Sequence, residues 1–249
     1  RGQRHVGLGQ RTGIDIGKDD SGESKGVLPS QEWKKQRFKR PEQQKWYAGE
    51  TISLGIGQGY NSFTMLQLAQ AVSTLANAGV KHKPQLVIAT QDASTRVRVP
   101  VPPVPPVDLG YKPDNIKVIR DAMVGVTQGG TGTRVFAGAG YLSGGKTGTA
   151  QAVSLGKNQK YNASSMEEHQ RDHSLYIAFA PVDQPRVALA VVVENAGFGA
   201  AAAAPIARRV FDYVLLGQVP SVEDMAVTRE GKSAAPIGVP RRAADMPLP

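Results

Sequence analysis

Gly144-Gly145-Lys146-Thr147-Gly148-Thr149-Ala150-Gln151 decides the fold, because the same letters fit either a phosphate-binding loop or a β-strand. The stretch Gly140-x4-Gly145-Lys146-Thr147 matches the P-loop pattern, and a later run over 187–194 ends in an acid that could help hold magnesium. A P-loop must follow a buried strand and open a helix whose first N–H groups face the phosphates. Here Gly148 would fall in the first helical turn, and Thr147, Thr149 and Val153 favour extended chain. The stretch therefore reads as part of a strand over 142–153.

Downstream, 174–180 and 187–194 are rich in β-branched and aromatic residues and read as two more strands. Val182-Asp183-Gln184-Pro185 between them supplies turn chemistry, which predicts an antiparallel hairpin. A long polar loop separates the first strand from that pair, and an Ala-rich helix over 200–216 closes the unit, with Ile206, Val210 and Val214 at four-residue steps. Upstream, a helix starts near Pro113, carries Ile116, Ile119, Met123 and Val126 on one face, and stops at Gly129-Gly130. Before it, Pro102-Pro103-Val104-Pro105-Pro106 is a stiff connector that cannot enter a sheet interior. Strand-like runs lie at 85–90 and 95–101. A further helix over 64–78 shows Met65, Leu68, Ala69, Val72, Leu75 and Ala76 at helical spacing, with Thr64 able to cap it and Gly79 at its stop. Residues 1–60 are rich in glycine and turns, with a short strand-like 12–16. From Gly217 the composition shifts to Pro, Ala, Ser and Arg, which predicts a disordered tail over 217–249. The class is α+β.

The formal net charge of +9 admits an anionic partner, but no RNA-binding signature or zinc-finger spacing accompanies it, so nucleic acid is not expected. The basic run Lys34-Lys35-Gln36-Arg37-Phe38-Lys39-Arg40 reads as a solvated loop. With no cysteine there are no disulfides and no thiolate metal sites. No stretch of 18 apolar residues occurs, and Arg1-Gly2-Gln3-Arg4-His5 does not open a signal peptide.

On an accessible strand, Lys146-Thr147-Gly148-Thr149 has the chemistry of the Lys-Thr-Gly strand of penicillin-recognising serine enzymes. The ammonium of Lys146 supplies positive charge toward a substrate carboxylate. The Thr147 and Thr149 hydroxyls can donate to that carboxylate, and a backbone N–H at Thr149 can meet a developing oxyanion. Glycine at 148 lets substrate backbone approach. Around this strand stand further blocks: Arg11-Thr12-Gly13-Ile14-Asp15-Ile16, Pro29-Ser30-Gln31-Glu32-Trp33, Trp46-Tyr47-Ala48-Gly49-Glu50-Thr51 and Gly55-Ile56-Gly57-Gln58-Gly59-Tyr60. They continue with Gly129-Gly130-Thr131-Gly132-Thr133, Arg171-Asp172-His173, Ala178-Phe179-Ala180-Pro181 and Glu194-Asn195-Ala196-Gly197. In that order they resemble the class B penicillin-binding proteins, of the elongation-type penicillin-binding protein 2 kind, from about Gly7 to Gly217.

The resemblance implies a mainly antiparallel sheet packed with helices, as in serine β-lactamases. It also implies a peptidoglycan D,D-transpeptidase that binds stem peptides and β-lactams and works by acyl transfer through a serine ester. The implied catalytic residues are Lys146 and Thr149; Thr147, Gly148, Thr149 and Gln151 are the implied substrate contacts. It implies no metal or organic cofactor. Its implied partners are the rod-shape polymerase and elongation scaffold proteins, at the periplasmic face of the bacterial inner membrane, with membrane attachment only through an upstream anchor.

The family's Ser-x-x-Lys and Ser-x-Asn motifs belong ahead of the Arg11 block, where ten residues stand. Residues 1–216 are therefore expected to be an incomplete, C-terminal part of the transpeptidase domain, inactive alone. Ser143-Gly144-Gly145-Lys146 and Ser154-Leu155-Gly156-Lys157 carry the letters but have glycines where a helical turn is needed, so neither is expected to be the nucleophile. A non-catalytic scaffold of the same fold is the alternative. His169 and His173 have the four-residue spacing of a zinc pair, yet Arg171 between them opposes a cation, and a polar loop near the cleft is expected. Gly55-x-Gly57-x-Gly59 has its third glycine one position early for a dinucleotide loop and is expected to serve packing. Asp15 and Glu50 are candidate structural carboxylates.

Overall fold

The computed structural model describes residues 2–15, 22–150, 162, 166–232 and 234–246. The chain divides into two units, one of Arg1–Thr74 with Gly79–Gly110, the other of Leu75–Ala78 with Tyr111–Pro249.

The first unit holds helices α1 (Gly2–His5), α2 (Gln31–Arg37), α3 (Pro41–Gln44), α4 (Ala48–Gly55) and most of α5 (Met65–Ala76). It also holds two short antiparallel pairs, β1 (Val80–Lys81) with β4 (Val107–Asp108), and β2 (Ala89–Gln91) with β3 (Arg98–Pro100). The first half of the basic run, Lys34 to Arg37, is the end of helix α2 rather than a loop. Ser30 caps it by accepting the Trp33 N–H at 3.0 Å. Lys34 is buried, donates to the Lys45 carbonyl at 2.7 Å and pairs with Glu50. Its ammonium lies 5.3 Å from the Tyr47 ring centre and 5.8 Å from that of Tyr60. A buried ammonium survives only with such partners. At α5, Thr64 and Gln67 cap reciprocally: the Gln67 N–H reaches Thr64 Oγ1 at 3.1 Å and the Thr64 N–H reaches Gln67 Oε1 at 3.2 Å. Residues 11–15 form no strand. Instead Asp15 accepts the Leu86 and Val87 N–H groups at 2.7 and 3.0 Å, and those backbone bonds, Leu86 first, hold its carboxyl below the usual range.

The second unit is built on an antiparallel sheet ordered β5 (Gly144–Ala150), β6 (His173–Ala180), β7 (Val187–Val193). The register pairs Lys146 with Ile177, Thr147 with Tyr176 and Thr149 with Ser174. Because side chains alternate along a strand, Tyr176, Ala178 and Ala180 face one side and Ile177 and Phe179 the other. The first side packs on α8 (Ala203–Leu216) in a cluster with Ala203, Ala204, Ala207 and Phe211. Alanines on that helix face bring it close to the sheet. On the second side α6 (Pro113–Gln128) covers Phe179, with the Arg120 guanidinium 5.7 Å from its ring centre. The short α7 (Thr133–Phe136) buries Val135 and Phe136, and the Phe136 ring stacks on Tyr176 at 5.8 Å.

Beyond α8 the expected disordered tail differs from what is found. Gly217, at a φ of 64°, ends α8; then come β8 (Gln218–Val219), α9 (Val222–Arg229) and β9 (Arg241–Arg242), with β8 and β9 paired. Asp224 is buried and holds Arg209 through two hydrogen bonds, of 2.9 and 2.5 Å, and Ser221 caps α9 by accepting the Asp224 N–H at 2.9 Å. Composition predicts disorder only where no specific partner offsets the entropy of ordering.

Candidate functional site

Lys146, Thr147, Gly148 and Thr149 lie in β5, at an edge of the sheet among the described residues. A strand there cannot open a helix, so the P-loop geometry is absent at this lysine. Two glycines start the strand for a packing reason. A β-carbon at Gly144 would stand 2.6 Å from the Phe179 ring, and one at Gly145 only 2.1 Å from Tyr176 Oη. With nothing larger tolerated at either position, the rings of Phe179 and Tyr176 close over the start of the strand, and its exposed part begins at Lys146.

Lys146 is exposed and its ammonium donates to the Thr147 carbonyl at 2.6 Å, with no carboxylate partner among the described residues. Thr147 is half-buried and its Oγ1 lies 3.0 Å from Thr131 Oγ1. Thr149 is half-buried opposite Ser174. Gln151 lies outside the described residues. The strand thus presents one ammonium and two hydroxyls at an accessible edge, a set suited to an extended, anionic ligand.

The glycine requirement at the sheet also comes from across the strand. A β-carbon at Gly199, in the loop before α8, would lie 2.2 Å from the Leu175 carbonyl oxygen and 2.7 and 2.9 Å from the Gly148 O and N atoms. That loop therefore lies directly against the Gly148 backbone. Ser174 fixes it, donating to the Phe198 carbonyl at 3.0 Å while accepting the Ala203 N–H at 3.0 Å. Thr131 and Gly199 escaped the sequence reading. Thr131 sits in a glycine-rich stretch that reads as a helix exit, and a glycine–backbone contact across fifty residues leaves no local signal.

Ser143 is buried at the mouth of β5, three residues along extended chain from Lys146, so the two side chains leave opposite faces. That is not the helical turn a Ser-x-x-Lys nucleophile needs. Ser154 and Lys157 lie outside the described residues. His169 sits in a 3-10 turn, Glu168–Gln170, while His173 opens β6 and its Nδ1 accepts the Asn195 N–H at 3.0 Å. The two do not share a helix face, and among the described residues no group of three or more His, Asp or Glu could hold a metal ion.

A family model described as the penicillin binding protein transpeptidase domain matches residues 2–212, including all of the strand and loops just described. This chain belongs to that family. Peptidoglycan D,D-transpeptidase MrdA of Haemophilus influenzae is 38% identical over 231 residues, covering 92% of this chain and 34% of that protein. A crystal structure of Pseudomonas aeruginosa PBP2 in complex with WCK 5153 superposes with a TM-score of 0.64 at 36% identity, covering 86% of this chain and 42% of that one. PBP2 of Helicobacter pylori, solved as a complex with MreC, gives a TM-score of 0.65 at 25% identity, covering 86% and 35%. The chain spans about a third of the length of the curated relative. The transpeptidase-family fold agrees with the antiparallel sheet and flanking helices expected from the sequence. Among the described residues no helix is long and apolar enough to cross a membrane.

Proposed function

We propose that this chain supplies the Lys-Thr-Gly wall of a peptidoglycan D,D-transpeptidase of cell-wall elongation. The observation that carries the reading is the placement of Lys146, Thr147 and Thr149 along an accessible sheet edge, with Thr147 braced by Thr131, inside a span matched by the transpeptidase family. In the proposed reaction a serine Oγ attacks the penultimate D-Ala carbonyl of a stem peptide, the bond to the terminal D-Ala breaks, and D-Ala leaves with a proton. An amine of a neighbouring stem peptide then attacks the ester, forming the cross-link and returning the serine. Thr147 and Thr149 hold the substrate carboxylate and Lys146 supplies the positive charge opposite it, with Gln151 as a further contact. The Thr149 N–H serves the oxyanion. None of this chain's own serines is assigned as nucleophile.

We infer the setting that the family resemblance implies, the periplasmic face of the inner membrane, with attachment through an upstream anchor. A scaffold protein of the MreC kind and the rod-shape polymerase are its proposed partners. Intact-mass spectrometry after benzylpenicillin treatment tests the reading on this chain and on the complete gene product. The expected result is a penicilloyl mass on the complete product alone, formed more slowly by about tenfold or more when Lys146 or Thr149 is replaced by Ala, because each change removes a contact to the substrate carboxylate. Acylation of this chain itself would make one of its serines the nucleophile. No adduct on a folded complete product would favour a non-catalytic scaffold instead.

A further inference from the structure

Three consecutive residues at the entry to β6, Asp172, His173 and Ser174, clasp the loop that runs from β7 to α8. The Asp172 carbonyl accepts the Gly197 N–H at 2.8 Å, and His173 Nδ1 accepts the Asn195 N–H at 3.0 Å. Ser174 makes the third hold, through the Phe198 carbonyl and the Ala203 N–H, each at 3.0 Å. We propose that Ser174 is a positioning residue for acyl transfer, setting the backbone of Gly148 and Thr149 through this loop. The inference rests on the transpeptidase reading and adds a residue to that same site.

Ser174 is fully buried, and its hydroxyl serves at once as donor and acceptor. The Ala203 N–H is one of the first-turn donors of α8, which no residue earlier in that helix can satisfy. Ala202 precedes the helix and its side chain makes no cap, so the cap comes from the neighbouring strand. One hydroxyl thereby ties the end of the loop to the start of the helix.

The register carries the effect to the Lys-Thr-Gly strand. Thr149 stands opposite Ser174 and Thr147 opposite Tyr176, so both threonines share the α8 side of the sheet. Gly148 between them faces the other way, which leaves its backbone open on the α8 side. Gly199 fills that opening, since a β-carbon on it would stand 2.7 and 2.9 Å from the Gly148 O and N atoms. A loop seated this closely moves against the strand backbone that leads to the Thr149 N–H whenever it drifts. Thr147 has a separate brace in Thr131. Loss of the Ser174 hydroxyl therefore disturbs the N–H that meets the developing oxyanion more than the carboxylate contact at Thr147.

The test follows benzylpenicillin acylation of the complete gene product by intact mass over time, at rising concentration, which separates affinity from the acylation rate constant. In that reaction the serine oxygen adds to the lactam carbonyl, the C–N bond breaks, and its nitrogen takes the proton. Outright loss of an oxyanion donor costs about 100-fold or more, so the displacement in Ser174→Ala is expected to lower the rate constant about tenfold. Affinity should change by less than about threefold, the split that marks an interaction realised in the transition state. Ser174→Thr keeps the hydroxyl and should return the rate constant to within about threefold of the parent. Gly199→Ala leaves Ser174 in place but pushes the loop off the strand, and should reproduce the loss of about tenfold. Thermal unfolding reports whether each variant is folded; if Ser174→Ala is not, Gly199→Ala decides alone. A purely structural role would lower the melting temperature and leave the rate constant of the folded protein unchanged, which overturns the proposal. It is overturned equally by a loss of affinity alone, or by a folded Ser174→Thr protein as slow as Ser174→Ala. An adduct on the unmodified product with no change in the variants overturns the positioning role alone, whereas no adduct on the unmodified product overturns the transpeptidase reading and this role together.

Discussion

Gly145→Ala adds one methyl group, and the structure predicts a large effect. The new β-carbon would stand 2.1 Å from Tyr176 Oη, 2.5 Å from Cζ and 3.1 Å from the Ile177 carbonyl oxygen. None of these atoms has room to retreat. Tyr176 is fully buried, its ring stacks on Phe136, and both belong to the cluster that joins the sheet to α8. Overpacking of this kind costs about 1–3 kcal/mol, and a clash with both a rigid ring and strand backbone belongs at the upper end, about 3 kcal/mol. Urea unfolding of the whole chain should show the midpoint falling with the slope unchanged. The Tyr176 hydroxyl offers an internal control. It is buried with no hydrogen-bond partner among the described residues, and burial alone pushes its pKa above the usual phenol range. An unmatched buried hydroxyl costs about 1–3 kcal/mol, so Tyr176→Phe alone should leave stability unchanged or raise it by about 1 kcal/mol. Combined with Gly145→Ala it should recover part of the loss, because the contact at Cζ remains. If Gly145→Ala unfolds within about 0.5 kcal/mol of the parent, a margin usual for harmless surface changes, the packing argument for the paired glycines fails. It fails equally if Tyr176→Phe is itself strongly destabilising.

The same logic gives two further expectations. Glu50→Gln leaves the buried Lys34 ammonium without its counter-charge and should cost about 3 kcal/mol at neutral pH by denaturant unfolding. Burial works against the Glu50 carboxylate, but the bonds from Lys34 and the Tyr47 N–H outweigh it and set its pKa below the ordinary 4.5. Its contribution is therefore complete above pH 4.5 and fades as pH falls through the lower folded value, so the gap between parent and variant should narrow in acid. A gap that stays constant to pH 3, well below the usual glutamate range, would count against the pairing. Asp224→Ala should free the segment after α8, because Arg209 loses its partner in a buried pair worth about 3 kcal/mol when broken. Trypsin should then cut after Arg229 and Lys232 about 100-fold faster, provided cleavage follows local opening. Unchanged cutting would mean that the pair does not hold the tail.

Much of the second unit could be read from local pattern alone. The three strands, their hairpin, α6 with its glycine stop and α8 all come from periodicity and turn chemistry, which act over a few residues. The strand placement of Lys146, Thr147 and Thr149 was legible for the same reason: Thr147, Thr149 and Val153 favour extended chain and exclude a helix start at Gly148. What could not be read depends on distant partners. The 12–16 stretch reads as extended, but Asp15 spends its carboxylate on the distant N–H groups of Leu86 and Val87. Lys34 looks like one solvated charge among several until Glu50 and the Lys45 carbonyl are placed around it.

The segment after α8 carries that argument furthest. Its composition is that of a disordered chain, and composition measures only the average gain from burying side chains. Order here comes instead from a few strong, directed contacts. Asp224 meets Arg209 in a two-bond ion pair, Ser221 donates to the Ile237 carbonyl at 2.7 Å, and Arg241 donates to the Pro220 carbonyl at 3.0 Å. Arg209 stands beside Arg208, whose own carboxylate partner, Asp212, also accepts from Tyr141 at 2.8 Å; burial and the Asp212 charge both raise the Tyr141 pKa, keeping that hydroxyl a donor. Through the Val135 and Ala137 carbonyls and the Ala234 carbonyl, two neighbouring positions on one helix thus anchor the turn that carries Arg134 and the chain that carries Ala234. A change at Arg208 should loosen the turn after α7, and one at Arg209 the segment after α9, while the pairing of the Lys-Thr-Gly strand with β6 stays in place.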